Sequence, residues 1–264
     1  LFSATDPIPV EFLGIPVKMV SYTSSVLPII VVCFVQAYFE KLLNRVIPKL
    51  VRNIFLPVLD LLVLVPLTFI VIGPITTAAA NGMSTAIQAL LRLCPPLGGA
   101  LMAGLWPIMI LFGIHWAIMS IGFANLGILG YDYLLPVSFC HNMAESGAAF
   151  GAALRMRDKE LRSAAFTTSF SAFLGISEPA LFTVQVPNKT PLIAAMIANG
   201  IGGALTVVLG AKCYAFVMPG ITSLPTYANG GAFNLLMMVV CIAATFVIAA
   251  ILSFILGGKI ADKN

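Results

Sequence analysis

The chain alternates long apolar runs with short polar joints, and the runs have membrane length. A helix needs about 20 mostly apolar residues to cross the hydrocarbon core. Residues 20–39, 55–77, 134–154, 191–210 and 233–256 meet that requirement. Two further runs are apolar but interrupted: residues 98–123 contain Gly104, Pro107 and Gly113, and residues 164–186 contain Gly175 and Pro179. The interruptions predict two broken, re-entrant helical hairpins, the second with its tip near residues 175–179. Such backbone is tolerated at membrane depth only where protein or a cavity surrounds it. In residues 40–53, Leu42, Leu43, Val46, Ile47, Leu50 and Val51 share one helical face, with Lys41, Arg45, Lys49 and Arg52 opposite. This predicts an interfacial amphipathic helix over residues 40–54, kinked at Pro48.

Composition makes the membrane reading firm. Of 264 residues, 60% are hydrophobic and 9% charged, against about 25% charged in an ordinary soluble domain. Mean hydropathy is +1.04. A soluble enzyme and a disordered chain are excluded. A net charge of +4 over so apolar a chain makes no basic face for nucleic acid. The fold class is therefore an all-α integral membrane protein, a multi-span helical transporter domain. The first residues do not show a charged stretch followed by a short apolar run and a cleavage site, and Leu1 reads as cut from a longer protein.

Charge then orients the spans. The basic stretch 41–52, the cluster Arg155, Arg157, Lys159 and Arg162, and the pair Lys259 and Lys263 mark the cytoplasmic side. With these inside, residues 55–77 and 191–210 run outward, and 134–154 and 233–256 run inward. Residues 164–186 must then leave and return on the inner side. Residues 98–123 re-enter from the outer side or pair with the short stretch 82–93.

Ionisable residues at membrane depth are costly and are functional candidates by default. Glu178 lies between Ser177 and Pro179 at the expected hairpin tip, placed to accept hydrogen bonds from ligand hydroxyls; the plainer reading is a helix-capping carboxylate. His115 follows Gly113 and adjoins Trp116. A histidine that donates and accepts beside an aromatic suits a sugar ring; the plainer reading is a satisfied core histidine. His141 and Glu145, four apart, share a helical face as a proton relay or a self-neutralising structural pair. Asp60, one turn inside its span, reads mainly as interfacial. Gly147 and Gly151 form a GxxxG packing motif. The five cysteines (Cys33, Cys94, Cys140, Cys213, Cys241) show no metal-ligand spacing, and no nucleotide-binding or hydrolase motif is present. No cofactor and no metal is expected.

The motifs LFGIHW (111–116), LGYDYLLP (129–136), LGISEPALF (174–182), FLGIPV (12–17) and SYTSSVLPII (21–30) resemble the enzyme IIC membrane domain of the bacterial sugar phosphotransferase system. The pairing of GIHW with LGYD is most similar to its β-glucoside branch. The resemblance implies a domain that binds a sugar, carries it across the inner membrane and presents it to a cytoplasmic IIB domain for phosphorylation. It places Glu178, His115, Trp116, Ser177, Gly175 and Glu145 at the sugar, with Glu178 near the hydroxyl to be phosphorylated. Ser177 stands for the family's Thr, Pro107 for an Arg of the glucose and maltose branch, and Glu145 for a Gln.

It further implies a periplasmic entry and last interface span over residues 1–39, a linker helix over 40–54 and a substrate-carrying domain over 55–264. Earlier interface spans are missing, and the full-length protein forms a homodimer in the lipid bilayer. No cysteine here suits a phosphoryl acceptor, so phosphorylation falls to a separate domain. The competing readings are an ion-coupled transporter using His141, Glu145 and Glu178, and a truncated sugar-binding regulator.

Overall fold

The computed structural model describes residues 10–12, 15–17 and 27–257. The chain divides into two compact units: Leu1–Ser84 with Phe112–Ala117, and Thr85–Leu111 with Ile118–Asn264. Among the described residues, three helices are long and apolar enough to cross a membrane: Arg52–Thr76, Thr190–Val208 and Ala232–Leu256.

In the first unit, strands β1 (Val10–Phe12) and β2 (Ile15–Val17) form a small antiparallel hairpin, an element the apolar pattern did not predict. The early part of the expected 20–39 span lies outside the described residues, and helix α1 runs Leu27–Val46. The expected separate amphipathic helix over residues 40–54 is not formed. Residues Glu40 to Val46 contain no breaker and simply continue α1. The helix stops at Val46 because a residue before proline, here Ile47, is pushed out of the helical region. Beyond the Pro48 turn, Arg52 Nη2 donates back to the carbonyls of Asn44 (2.6 Å) and Ile47 (3.0 Å), capping the frayed end of α1. Helix α2 (Arg52–Leu67) passes through a π-helical stretch, Thr68–Ile72, into α3 (Gly73–Leu93) without a break. Pro66 lacks an amide proton two residues before the widened turn, and Thr68 and Thr76 hydroxyls donate to the carbonyls of Leu64 and Ile72.

The second unit is built around α6 (Leu135–Arg155). It is as long as a span, yet carries Ser138, His141, Asn142, Glu145 and Ser146, all buried. Protein surrounds it: α11 (Ala232–Leu256), α10 (Thr190–Val208), α7 (Lys159–Leu174) and α4 (Pro95–Leu111) all pack against it. Gly147 and Gly151 let α11 approach so closely that a Cβ at either would meet the carbonyls of Phe246 and Ala250. Ser253 Oγ seals the crossing on Ala148 O at 2.7 Å. Ser146 and Ser169 exchange hydroxyl-to-carbonyl bonds of 2.8 Å between α6 and α7. Gly99 and Gly203 make the equivalent close approach of α4 to α10.

The interruption in residues 98–123 is smaller than expected. Helix α4 runs unbroken through Gly104 and Pro107 to Leu111, and the chain turns only at Gly113 (φ 69°) before α5 (His115–Leu129). The reason is specific. Pro107 has no N–H for the carbonyl of Ala103, and Asn199 Nδ2 from α10 donates to that carbonyl instead. The neighbouring helix supplies the missing bond.

The second expected break is present. Helix α7 ends at Gly175 (φ 114°), whose N–H bonds to Ala172 O, while Ile176 N–H bonds to Ser171 O. This crossed pair with a left-handed glycine is a standard helix stop. After Ser177 the chain re-forms a helix as α8 (Glu178–Ala180), a π-helical stretch Leu181–Gln185 and α9 (Val186–Asn188). Lys189, at φ 61°, separates it from α10.

Candidate functional site

Asp132, in the LGYD motif, fixes the start of α6. Its Oδ2 accepts from the amides of Leu134 (2.9 Å) and Leu135 (2.6 Å), and its Oδ1 accepts from Asn125 Nδ2 at 2.8 Å. A carboxylate on these free amides is favourable in the helix dipole as well. The motif's acid is thus architectural.

From that fixed start, the segment His141–Glu145 of α6 forms the platform beneath the hairpin tip. Asn142 Nδ2 donates to Gly175 O at 3.3 Å and to Pro219 O, tying the tip to the loop after α10. The approach is tight on both sides. A Cβ at Gly175 would lie 3.0 Å from Pro219 O, and one at Gly220 would meet Leu174 O. His141 Nε2 lies 3.4 Å from Ser177 Oγ, and its Nδ1 lies 3.4 Å from Asn199 Nδ2 and 3.8 Å from Glu145 Oε1. Gln185 Nε2, beyond the tip, donates to the Glu145 backbone carbonyl at 3.1 Å. Ser177 is buried by this platform, while the next residue, Glu178, is exposed at the start of α8. The tip therefore holds a carboxylate on a short, rigid turn whose backbone is pinned from beneath.

The structure brings Gly175, Ser177 and Glu145 together around His141, with Glu178 leaving the same turn. His115 and Trp116 belong to the other unit, with rings 5.4 Å apart. His115 is half-buried and Trp116 is 36% exposed. Asp60 is also in that unit and is 5% exposed, at a cavity of about 420 Å³ lined by α1 and α2. Neighbouring side chains of its own unit cover it. The sequence reading left out Asn142, Gln185 and Asn199. Amides inside apolar runs tend to bond across helices, but that signal alone does not say which of them meet.

The phosphotransferase system EIIC family model matches residues 2–200, and the chain belongs to that family. A β-glucoside-specific EIIBCA component from Halalkalibacterium halodurans is 34% identical over 87% of this chain and 36% of its own length. One from Bacillus subtilis is 35% identical over 92% of the chain and 38% of its length. The arbutin-, cellobiose- and salicin-specific EIIBC component of Escherichia coli is 30% identical over 94% and 51%. The chain thus spans about a third to a half of the relatives it matches. No solved structure matches it.

Proposed function

We propose that this chain is the sugar-binding and translocating part of a phosphotransferase permease that imports a β-glucoside-type sugar. The observation that carries the reading is the turn Gly175–Glu178, which presents one exposed carboxylate from a backbone pinned by Asn142. Glu178 accepts hydrogen bonds from sugar hydroxyls, among them the one to be phosphorylated. Charged acceptors form the stronger class of such bonds. Ser177 sets the direction of Glu178, and Gly175 supplies the left-handed turn. His115 and Trp116 act as a polar group and an apolar ring face for the sugar. Glu145 acts from below the tip rather than on the sugar directly.

In this reading α7 and the helix after Gly175 enter and leave the bilayer on one side, and residues 55–264 form the carrying domain. Residues 1–39 contribute the last interface span of a homodimer in the bacterial inner membrane, and residues 40–54 the link between them. A cytoplasmic IIB domain receives the sugar and transfers the phosphoryl group. The names of the relatives support the partnership, because they join B and C components in one chain. The test is salicin phosphorylation by membrane vesicles carrying the protein together with a phosphorylated β-glucoside IIB domain. The reading expects phosphorylation that depends on both and is lost in Glu178→Gln. Unchanged turnover in that variant overturns the site.

A further inference from the structure

Beneath the tip lies a cluster of buried acceptors, with the Gln185 amide as a neighbouring donor. Glu145, Gln185 and Asn199 are each 0% exposed. Both carboxylate oxygens of Glu145, Oε1 of Gln185 and Oδ1 of Asn199 have no hydrogen-bond partner. Buried acceptors are normally satisfied, and a cluster of orphans calls for an explanation. A lone buried carboxylate is costlier still. The nearest group able to neutralise it is His141, 1% exposed, with Nδ1 3.8 Å from Glu145 Oε1.

We propose that His141 and Glu145 together form a proton-binding site that positions the hairpin tip, so that sugar affinity depends on pH. One proton on the pair makes it neutral and supplies a donor to the acceptors. Loss of that proton leaves a full negative charge inside the helix packing. The charge is felt at the tip by the shortest route in the structure, His141 to Ser177 Oγ, one residue before Glu178.

The other groups facing the pair are few. Helices α4 and α10 carry no titratable side chain. Helix α11 brings Cys241 to Cys140, next to His141 in the chain. Tyr227 packs on Phe139. The hairpin brings Glu178, whose negative charge repels that of Glu145. The charges of α7, Lys159, Glu160 and Arg162, lie in its first turn, away from Gly175. The pair is therefore the titrating unit at this depth. Deprotonation weakens binding as pH rises.

The inference rests on the sugar reading above for its effect on affinity, but not for the proton site itself, so the test has two arms. Without sugar, emission of Trp106, whose ring centroid is 6.2 Å from that of His141, is followed against pH in a Trp116→Phe background. It changes sigmoidally, because a unit charge appears beside the indole whichever residue held the proton. The same titration in Glu145→Gln is flat. With sugar, the salicin Kd of the unaltered protein rises about tenfold or more between about pH 6 and about pH 9, and that of Glu145→Gln is level over this range. His141→Asn removes the slope as well. Emission that titrates identically in Glu145→Gln overturns the proton site. A Kd slope retained in both variants overturns its link to the tip. If salicin fails to bind at any pH while emission titrates as stated, the proton site stands and the sugar reading falls.

Discussion

Removing the Asn199 amide should unseat Pro107, and restoring a backbone donor should repair the damage. Pro107 leaves the carbonyl of Ala103 without its helical partner, and Asn199 Nδ2 takes that place from α10. Ala103 and Asn199 are both fully buried, so no water replaces the lost donor in Asn199→Ala. An unsatisfied buried carbonyl costs about 1–3 kcal/mol in soluble proteins, whereas interhelical hydrogen bonds in a membrane bundle average about 0.6 and reach about 1.7. The bond here is buried and has no alternative donor, which places the expected loss near the upper membrane value, about 1–2 kcal/mol. At about 2–4 °C per kcal/mol for a chain of this size, the thermal midpoint in detergent falls by about 2–8 °C.

The decisive variant is Pro107→Ala with Asn199→Ala. Alanine at 107 carries the N–H that Ala103 O lacks. Against a Pro107→Ala background, Asn199→Ala should cost less than half of what it costs alone, giving a coupling of about 1 kcal/mol in the double-mutant cycle. The residual cost reflects the Asn199 contact with His141 at 3.4 Å. Equal losses from Asn199→Ala in both backgrounds refute the argument that the amide substitutes for the proline's missing donor.

Other variants probe the remaining supports. Gly175→Ala places a Cβ at φ 114° and 3.0 Å from Pro219 O; it should lose about 1 kcal/mol or more of stability and weaken salicin binding, both read on the purified protein. Gly151→Val wedges α6 from α11 at Ala250 O. It should lower the thermal midpoint by more than the same change at Gly127, which has open space around it. Asp132→Ala removes three accepted hydrogen bonds from the start of α6. It should cost about 2 kcal/mol, seen as earlier denaturation, with Asp132→Asn recovering part of it.

Much of this arrangement was legible in the apolar pattern, and the exceptions share a cause. The runs over 55–77, 191–210 and 233–256 correspond to the membrane-length helices Arg52–Thr76, Thr190–Val208 and Ala232–Leu256, because length and apolarity are properties of one segment alone. Gly175 stopped α7 as expected, since a left-handed turn depends only on local backbone. Pro107 did not break α4, because its missing donor is replaced from a residue 92 positions later, and no local window contains that information. Likewise residues 40–46 look amphipathic taken alone but follow an already propagating helix, and adding a residue to a helix is easier than starting one. At the site, Glu178 was visible because a carboxylate beside proline in an apolar run is conspicuous. The platform of Asn142, Gln185 and Asn199 was not, because single amides acquire meaning only once three helices bring them to one place.

The central claim is that Glu178, held on the turn after Gly175, binds the sugar. It is tested most directly by calorimetric titration of salicin into the protein and into Glu178→Gln, each checked first for an unchanged thermal midpoint. The account expects saturable heat from the unaltered protein and none from the variant. Equal affinity in the two proteins would contradict it.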